Sequence, residues 1–298
     1  MNKRFKFYLF ALFILAVSMV LTGCSREEKA DNDKIQVATT IFPVYDILRQ
    51  VGGDNIEPML ILPAGASPHT FDPTPAQVAA INKAEIFFVI GAGADDWALG
   101  LLPTDASIKI IDLSESITLR PFEHENGDLD PHYWLDPENA KIIADRIAQE
   151  LALLDSVKAD EYTVKSSDFK SLIDESLILW QERLSSLPVR QLVVFHDAWG
   201  YFAERFGLEI VATFEPFPGK SPSPQYLIEM QETIRENSVK ALFIEPQLSS
   251  GAAESLASEL EVLISRLDPI GGFSETNSYL ELIDYNIEAV YAALSSGQ

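Results

Sequence analysis

The sequence predicts an α/β fold of two lobes, each a mainly parallel four-stranded sheet flanked by helices, joined by one long helix. Three observations carry this expectation. From Lys34 onward, short apolar runs alternate with amphipathic stretches of helical period. Between Asp155 and Ser186 there is neither proline nor glycine, and apolar residues recur at Val164, Phe169, Leu172, Ile173, Leu177, Trp180 and Leu184, close to helical spacing. Beyond Pro188 the strand–helix alternation resumes, so each half offers about four strands. A helix of about thirty residues exceeds the usual globular length, which places it between two lobes. The expected organisation is residues 34–154 for the first lobe, 155–187 for the linking helix and 188–298 for the second lobe.

In chain order, Ile35–Thr39 reads as a strand and Val44–Val51 as a helix closed by Gly52-Gly53. Glu57–Leu62 is a strand, followed by the loop "PAGASPHTFDPTP" and a helix over Pro75–Lys83. Ile86–Ile90 is a strand running into "GAGADDW", and Ile108–Ile111 is another. An acidic loop follows, then a helix to about Leu154, with Asp136 as N-cap and Pro137 at its first position. In the second half the strands are Leu192–Phe195, Glu209–Thr213, Ala241–Ile244 and Val262–Ser265. The interleaved helices are Asp197–Phe206, Pro224–Asn237, Ala252–Glu259 and Ser278–Leu294.

The N-terminus is not part of this fold. Lys3, Arg4 and Lys6 precede an apolar run from Phe7 to Val20, the pattern of a signal peptide over residues 1–23. "LTGC" ends at Cys24 and resembles the lipobox of bacterial lipoproteins, in which the cysteine becomes the lipidated first residue. Cys24 is the one cysteine of the chain, so an internal disulfide is excluded. Residues 24–33 form a polar tether.

Charge excludes one class of partner. With 22 basic and 45 acidic residues the net charge is -23, which repels phosphate backbones and argues against nucleic acid. The same charge is no obstacle to a cation. "GAGADD" lacks the third glycine of a dinucleotide fingerprint. "PGKS" has Phe214 where a P-loop requires its first glycine. No G-x-S-x-G and no H-E-x-x-H is present.

In open α/β sheets, ligands bind at the loops beyond the carboxyl ends of strands. Three of the four histidines fall there: His69 after the second strand, His132 after the fourth, and His196 directly after "LVVF". Glu245 directly follows "ALFI", and Asp268 follows "VLIS" with two residues between. Singly, each has an ordinary alternative: His196 opens a helix and Asp268 precedes a proline in a turn. Together, three imidazoles and a carboxylate make a site for a divalent transition metal. His124 lies in "EHENGD", a polar run without apolar periodicity, and reads as a loop residue with at most an auxiliary contact.

The motifs "LPAGASPHTFDPTPAQV", "DPHYWLDPENA", "VVFHDAWGYFAERFGL", "SPSPQYL", "ALFIEPQ" and "LDPIGG" occur in this order over nearly the whole mature chain. Together with "LTGC" they resemble the metal-binding lipoproteins of bacterial ABC importers, the ZnuA/TroA-like solute-binding proteins. The resemblance implies a metal held between two lobes by His69, His132 and His196, with Asp268 as carboxylate ligand and Glu245 lining the site behind them. It implies a non-enzymatic, monomeric protein, anchored to the membrane through Cys24 on its outer side, which hands its cation to an ABC permease. Two departures stand out. The loop before His132 holds only His124 and is acidic where many zinc-specific members are histidine-rich. His196 stands where manganese-binding members commonly carry Glu. Imidazole-rich sets favour Zn²⁺, and Mn²⁺ lies lowest in the intrinsic affinity order. Zn²⁺ is therefore the expected cation, with Mn²⁺ or Fe²⁺ as alternatives. A zinc hydrolase with Glu245 as general base is the alternative of another class.

Overall fold

The computed structural model describes residues 34–100, 102, 107–122, 127–215 and 219–295. The signal segment, the tether with Cys24, and His124 lie outside the described residues.

The first sheet is built from β1 (Ile35–Thr39), β2 (Ile56–Leu60), β3 (Ile86–Val89) and β4 (Lys109–Asp112) in the order β2-β1-β3-β4, every pair parallel. β2 carries Pro58 opposite Val37. A proline donates nothing to a ladder, and this strand tolerates it because it lies at the edge. The second sheet repeats the plan with β5 (Gln191–His196), β6 (Glu209–Glu215), β7 (Ala241–Ile244) and β8 (Leu263–Arg266) in the order β6-β5-β7-β8, again parallel. In both sheets the chain turns from one side to the other between the first and third strands. This is the switch point at which the carboxyl ends splay and leave a crevice.

The helices are α1 (Phe42–Gly52), α2 (Pro75–Ile81), α3 (Asp96–Leu99), α4 (Pro137–Leu154), α5 (Ala159–Ser185), α6 (Gly200–Phe206), α7 (Pro224–Glu236), α8 (Gly251–Leu260) and α9 (Tyr279–Ser295). Three of their starts follow from side chains that occupy orphan N–H groups. Thr74 and Gln77 form a reciprocal capping box at α2. The Asp136 carboxylate accepts from Glu138 N at 2.9 Å at α4, with Pro137 at the first position. Ser223 Oγ accepts from Tyr226 N at 3.2 Å at α7.

The expected long helix is α5, 27 residues long. Its buried stripe runs through Tyr162, Ser166, Phe169, Ile173, Leu177, Trp180 and Leu184. Val164 and Leu172, counted with the apolar face on sequence, are 57% and 45% exposed. Tyr162 and Ser166 hold the correct phase in their place. α5 lies against α4, α1 and α9, and Trp180 Nε1 donates to Asp284 Oδ1 of α9 at 3.1 Å. The same buried cluster therefore runs from Val37 and Trp134 through Ile173 to Trp199 and Ile287. From Ile35 onward the chain packs as one compact unit. α9 follows the second sheet in sequence yet touches α1, and its Tyr279 N donates to the buried Asp46 Oδ2 at 2.8 Å. Smaller apolar clusters cover the remaining sheet faces. Among the described residues no helix is long and apolar enough to cross a membrane.

One boundary differs where it matters. The helix expected from Asp197 begins at Gly200. Ala198 N donates to His196 O at 2.9 Å, so residues 196–198 make a tight turn at the end of β5 before the helix starts.

Candidate metal centre

His196 is the last residue of β5 and Glu245 follows β7 directly, so both stand at the switch point of the second sheet. His69 arrives on the loop after β2, and its N–H donates to Ser67 Oγ at 3.3 Å. His132 lies between β4 and α4, just ahead of a short 3₁₀ turn over Tyr133–Leu135. These paths converge: ring nitrogens of His69, His132 and His196 lie within 4.8 Å of one another. The ring centroids are 5.6 Å apart for His69 and His132, 5.4 Å for His69 and His196, and 5.2 Å for His132 and His196. His132 and His196 are buried, while His69 forms the exposed rim. Among the described residues this is the one group of histidine, cysteine and acidic side chains arranged to hold a metal ion.

Two of the rings are fixed from behind. Asp130 Oδ1 lies 2.8 Å from His132 Nδ1 and also accepts the His132 N–H at 2.9 Å. Glu245 Oε2 lies 2.6 Å from His196 Nδ1, and Glu245 Oε1 accepts from Trp199 Nε1 at 3.0 Å. A carboxylate on Nδ1 sets the tautomer and leaves Nε2 as the lone pair facing the cluster. Glu245 thus stands behind the His196 ring.

The electrostatics suit a cation. For His69, desolvation of the ring, then repulsion from His132 and His196, lowers the pKa to about 2, although the residue as a whole is exposed at the rim. Burial, then His196, likewise holds His132 well below the usual imidazole value. His196 is pulled down by burial, but the charge and contact of Glu245 outweigh this and leave it raised. Burial pushes the Asp130 carboxyl up to about 7, against the opposing His132 N–H and Arg120 charge. The lowering at His69 and His132 keeps those two rings neutral, the form a metal ion requires.

Asp268 is not brought into this cluster. Its Oδ1 accepts from Gln247 Nε2 at 2.8 Å, Ile270 N at 3.0 Å and Gly271 N at 2.9 Å, and Thr276 Oγ1 lies 3.4 Å from Oδ2. The Asp268 carboxylate thus caps the turn that follows it, and its expected role as the carboxylate ligand belongs with the proposed function below. The sequence reading did not assign Asp130, Trp134, Tyr201 or Gln247. Asp130 could have been found, because Asp two residues before a loop His is the pattern of an Asx turn. The others could not, since their partners lie 21 to 145 residues away in sequence. Trp134 Nε1 donates to Pro269 O at 2.7 Å, Tyr279 OH to Trp134 O at 2.7 Å and Tyr201 OH to Asp130 O at 3.1 Å. Arg205 grips the Asp136 carboxylate with two bonds at 2.6 and 2.8 Å. The segment carrying His132 is therefore clamped by the second half of the chain. The cavity before the rings, about 10 Å³, is bordered by His69, His132, His196, Glu245, Gln247 and Ile270. That volume takes one atom-sized guest.

The family described as "Zinc-uptake complex component A periplasmic" (ZnuA) matches residues 37–293. The chain belongs to this family. Within and around it, the manganese-binding lipoprotein MntA of Halalkalibacterium halodurans is 23% identical over 96% of this chain and 98% of its own length. The zinc-binding lipoprotein AdcA of Streptococcus pneumoniae is 27% identical over 92% of this chain. The chain spans only 58% of that longer relative. Among solved structures, a ZnuA deletion mutant with zinc bound superposes with a TM-score of 0.81 at 29% identity, covering 89% of this chain and all of the other. The two-sheet architecture with its long linking helix is that of the ZnuA-type structures.

Proposed function

We propose that this ZnuA-family protein captures one Zn²⁺ with His69, His132 and His196, with Asp268 as the carboxylate ligand, and delivers it to the permease of an ABC importer. The single observation that carries this is the convergence of three imidazoles within 4.8 Å, two of them backed by buried carboxylates. Nitrogen-rich donor sets suit zinc over manganese. Mn²⁺ is retained as a second cargo because one relative is named as manganese-binding. In this reading the protein catalyses no reaction. Asp130 and Glu245 orient the ligands, and His69, at the exposed rim, is the ligand nearest to solvent. Cys24 carries the lipid anchor, residues 24–33 tether the domain outside the membrane, and the protein acts as a monomer. The functional halves are 34–154 and 188–298 with 155–187 between them, α9 binding the halves together. The test is metal analysis of the protein purified without added metal. About one equivalent of zinc per chain is expected. Substoichiometric zinc with one equivalent of manganese would replace zinc by the second cargo.

A further inference from the structure

Each sheet ends in two edge strands, and an edge offers a row of backbone N–H and C=O groups to any chain able to pair with it. Three of the four edges are blunted. β2 carries Pro58. β4 is four residues long, with Lys109 held by Glu150. β8 is four residues long and ends on the exposed Arg266. β6 differs. It is seven residues long, the longest strand among the described residues, and contains neither proline nor a basic residue. Its one neighbour in the sheet is β5.

The ladder to β5 skips a residue: Leu192 faces Ile210, and Val193 faces Ala212. Val211 is thus the extra residue of a bulge, left unpaired by β5. Residues 209–213 border a groove of about 470 Å³ that no residue of β5 reaches. Consecutive strand residues alternate between the two faces, so this groove lies along the open edge of β6 and not on one face. It is acidic. Asp197, Glu204 and Glu209 border it against a single base, Arg120, which lies 3.9 Å from Glu204 and over the Tyr201 ring. Asp130 borders it too, with its carboxylate turned to His132.

We propose that this groove is a docking site for an extended basic segment of a partner protein, which adds to β6 as a fifth strand of the second sheet. Backbone pairing along Ile210–Ala212 supplies the affinity, and the three carboxylates receive the Lys or Arg side chains of the segment, as in strand addition generally. An acidic segment would meet like charge at the same place. The seat does not depend on which cation the protein carries.

The test selects random heptapeptides displayed on phage against the whole protein and measures the best binders by fluorescence anisotropy. Selected sequences are expected to be rich in Lys, Arg and β-branched residues. On binding, amide exchange within 210–212 should slow about tenfold or more. The double variant Glu204→Lys, Glu209→Lys should bind about tenfold more weakly; both glutamates are exposed, so its circular dichroism should match the parent. Spermidine, a cation without a backbone to pair, should leave exchange at 210–212 unchanged. The proposal is overturned if no peptide or no basic enrichment emerges, if the binders leave exchange at 210–212 unchanged, or if the double variant binds like the parent. It is equally overturned if spermidine slows the same amides, which would make the groove a seat for small cations.

Discussion

His132 owes the aim of its ring to Asp130, and His196 to Glu245, through contacts of 2.8 and 2.6 Å on Nδ1. Carboxylates in this position raise ligand basicity and fix orientation, and losing one typically costs 10–100-fold in metal affinity. Asp130→Asn and Glu245→Gln should each weaken Zn²⁺ binding by about that factor, read by competition with a chromophoric chelator, with the fold intact by circular dichroism. Asp95 gives a pH prediction away from the cluster. It is 2% exposed and accepts from Gly91 N at 2.7 Å, and burial raises its carboxyl from 3.8 to about 6. Folding therefore favours its protonated form. The stability this lends is complete below 3.8 and is lost as pH rises through 6. Urea unfolding of the metal-stripped protein at pH 5 and pH 8 should show Asp95→Asn gaining about 1–2 kcal/mol relative to the parent across that interval. Parallel behaviour of the two proteins would contradict it. At this scale the sequence was legible for histidines at strand exits, because position along a parallel strand determines which end of the sheet a residue occupies. It was not legible for the turn after Asp268, because the Ile270 and Gly271 N–H groups that its Oδ1 accepts are backbone groups that no residue type marks.

Elements announced themselves where one physical rule acted alone. Ala241–Ile244 is an uninterrupted apolar run and Ile35–Thr39 a largely buried one with Gln36 exposed, and both fall where expected. α5 was marked by 27 residues without proline or glycine. Its buried phase was blurred, because Tyr162 and Ser166 are buried while Leu172 and Ile178 are exposed at 45% and 66%. α6 was expected three residues early, since helix propensity carries no record of the turn in which Ala198 N reaches His196 O. The start of α4 matters most for the site. Asp136 caps it and also receives Arg205 of α6. Asp136→Ala removes a cap worth about 1 kcal/mol and leaves a half-buried guanidinium without its partner. A loss of roughly 2–3 kcal/mol in urea unfolding is expected. Arg205→Gln should show a smaller loss, because the cap survives. Equal losses would assign the whole effect to the ion pair.

For the whole molecule, the design is two parallel sheets whose switch points face one crevice, with α1, α4, α5 and α9 forming a common core. The repetition of β–α units was legible in the sequence because both sheets obey the same pattern. The clamp on the His132 segment was not, because Trp134–Pro269 and Tyr201–Asp130 join residues 135 and 71 positions apart. Net charge of -23 adds a long-range field. Zn²⁺ association should slow as ionic strength rises from 0.01 to 0.15 M, where the Debye length falls from about 30 to about 8 Å; stopped-flow rates that do not change with salt would exclude steering. The central claim is that three imidazoles from two halves of the chain make one metal site. Calorimetric titration of the metal-stripped protein with Zn²⁺, beside its His196→Ala variant, tests it most directly. The account predicts one high-affinity equivalent for the parent and a loss of at least a hundredfold in the variant; parental zinc binding by His196→Ala, or no one-to-one binding by the parent, would contradict it.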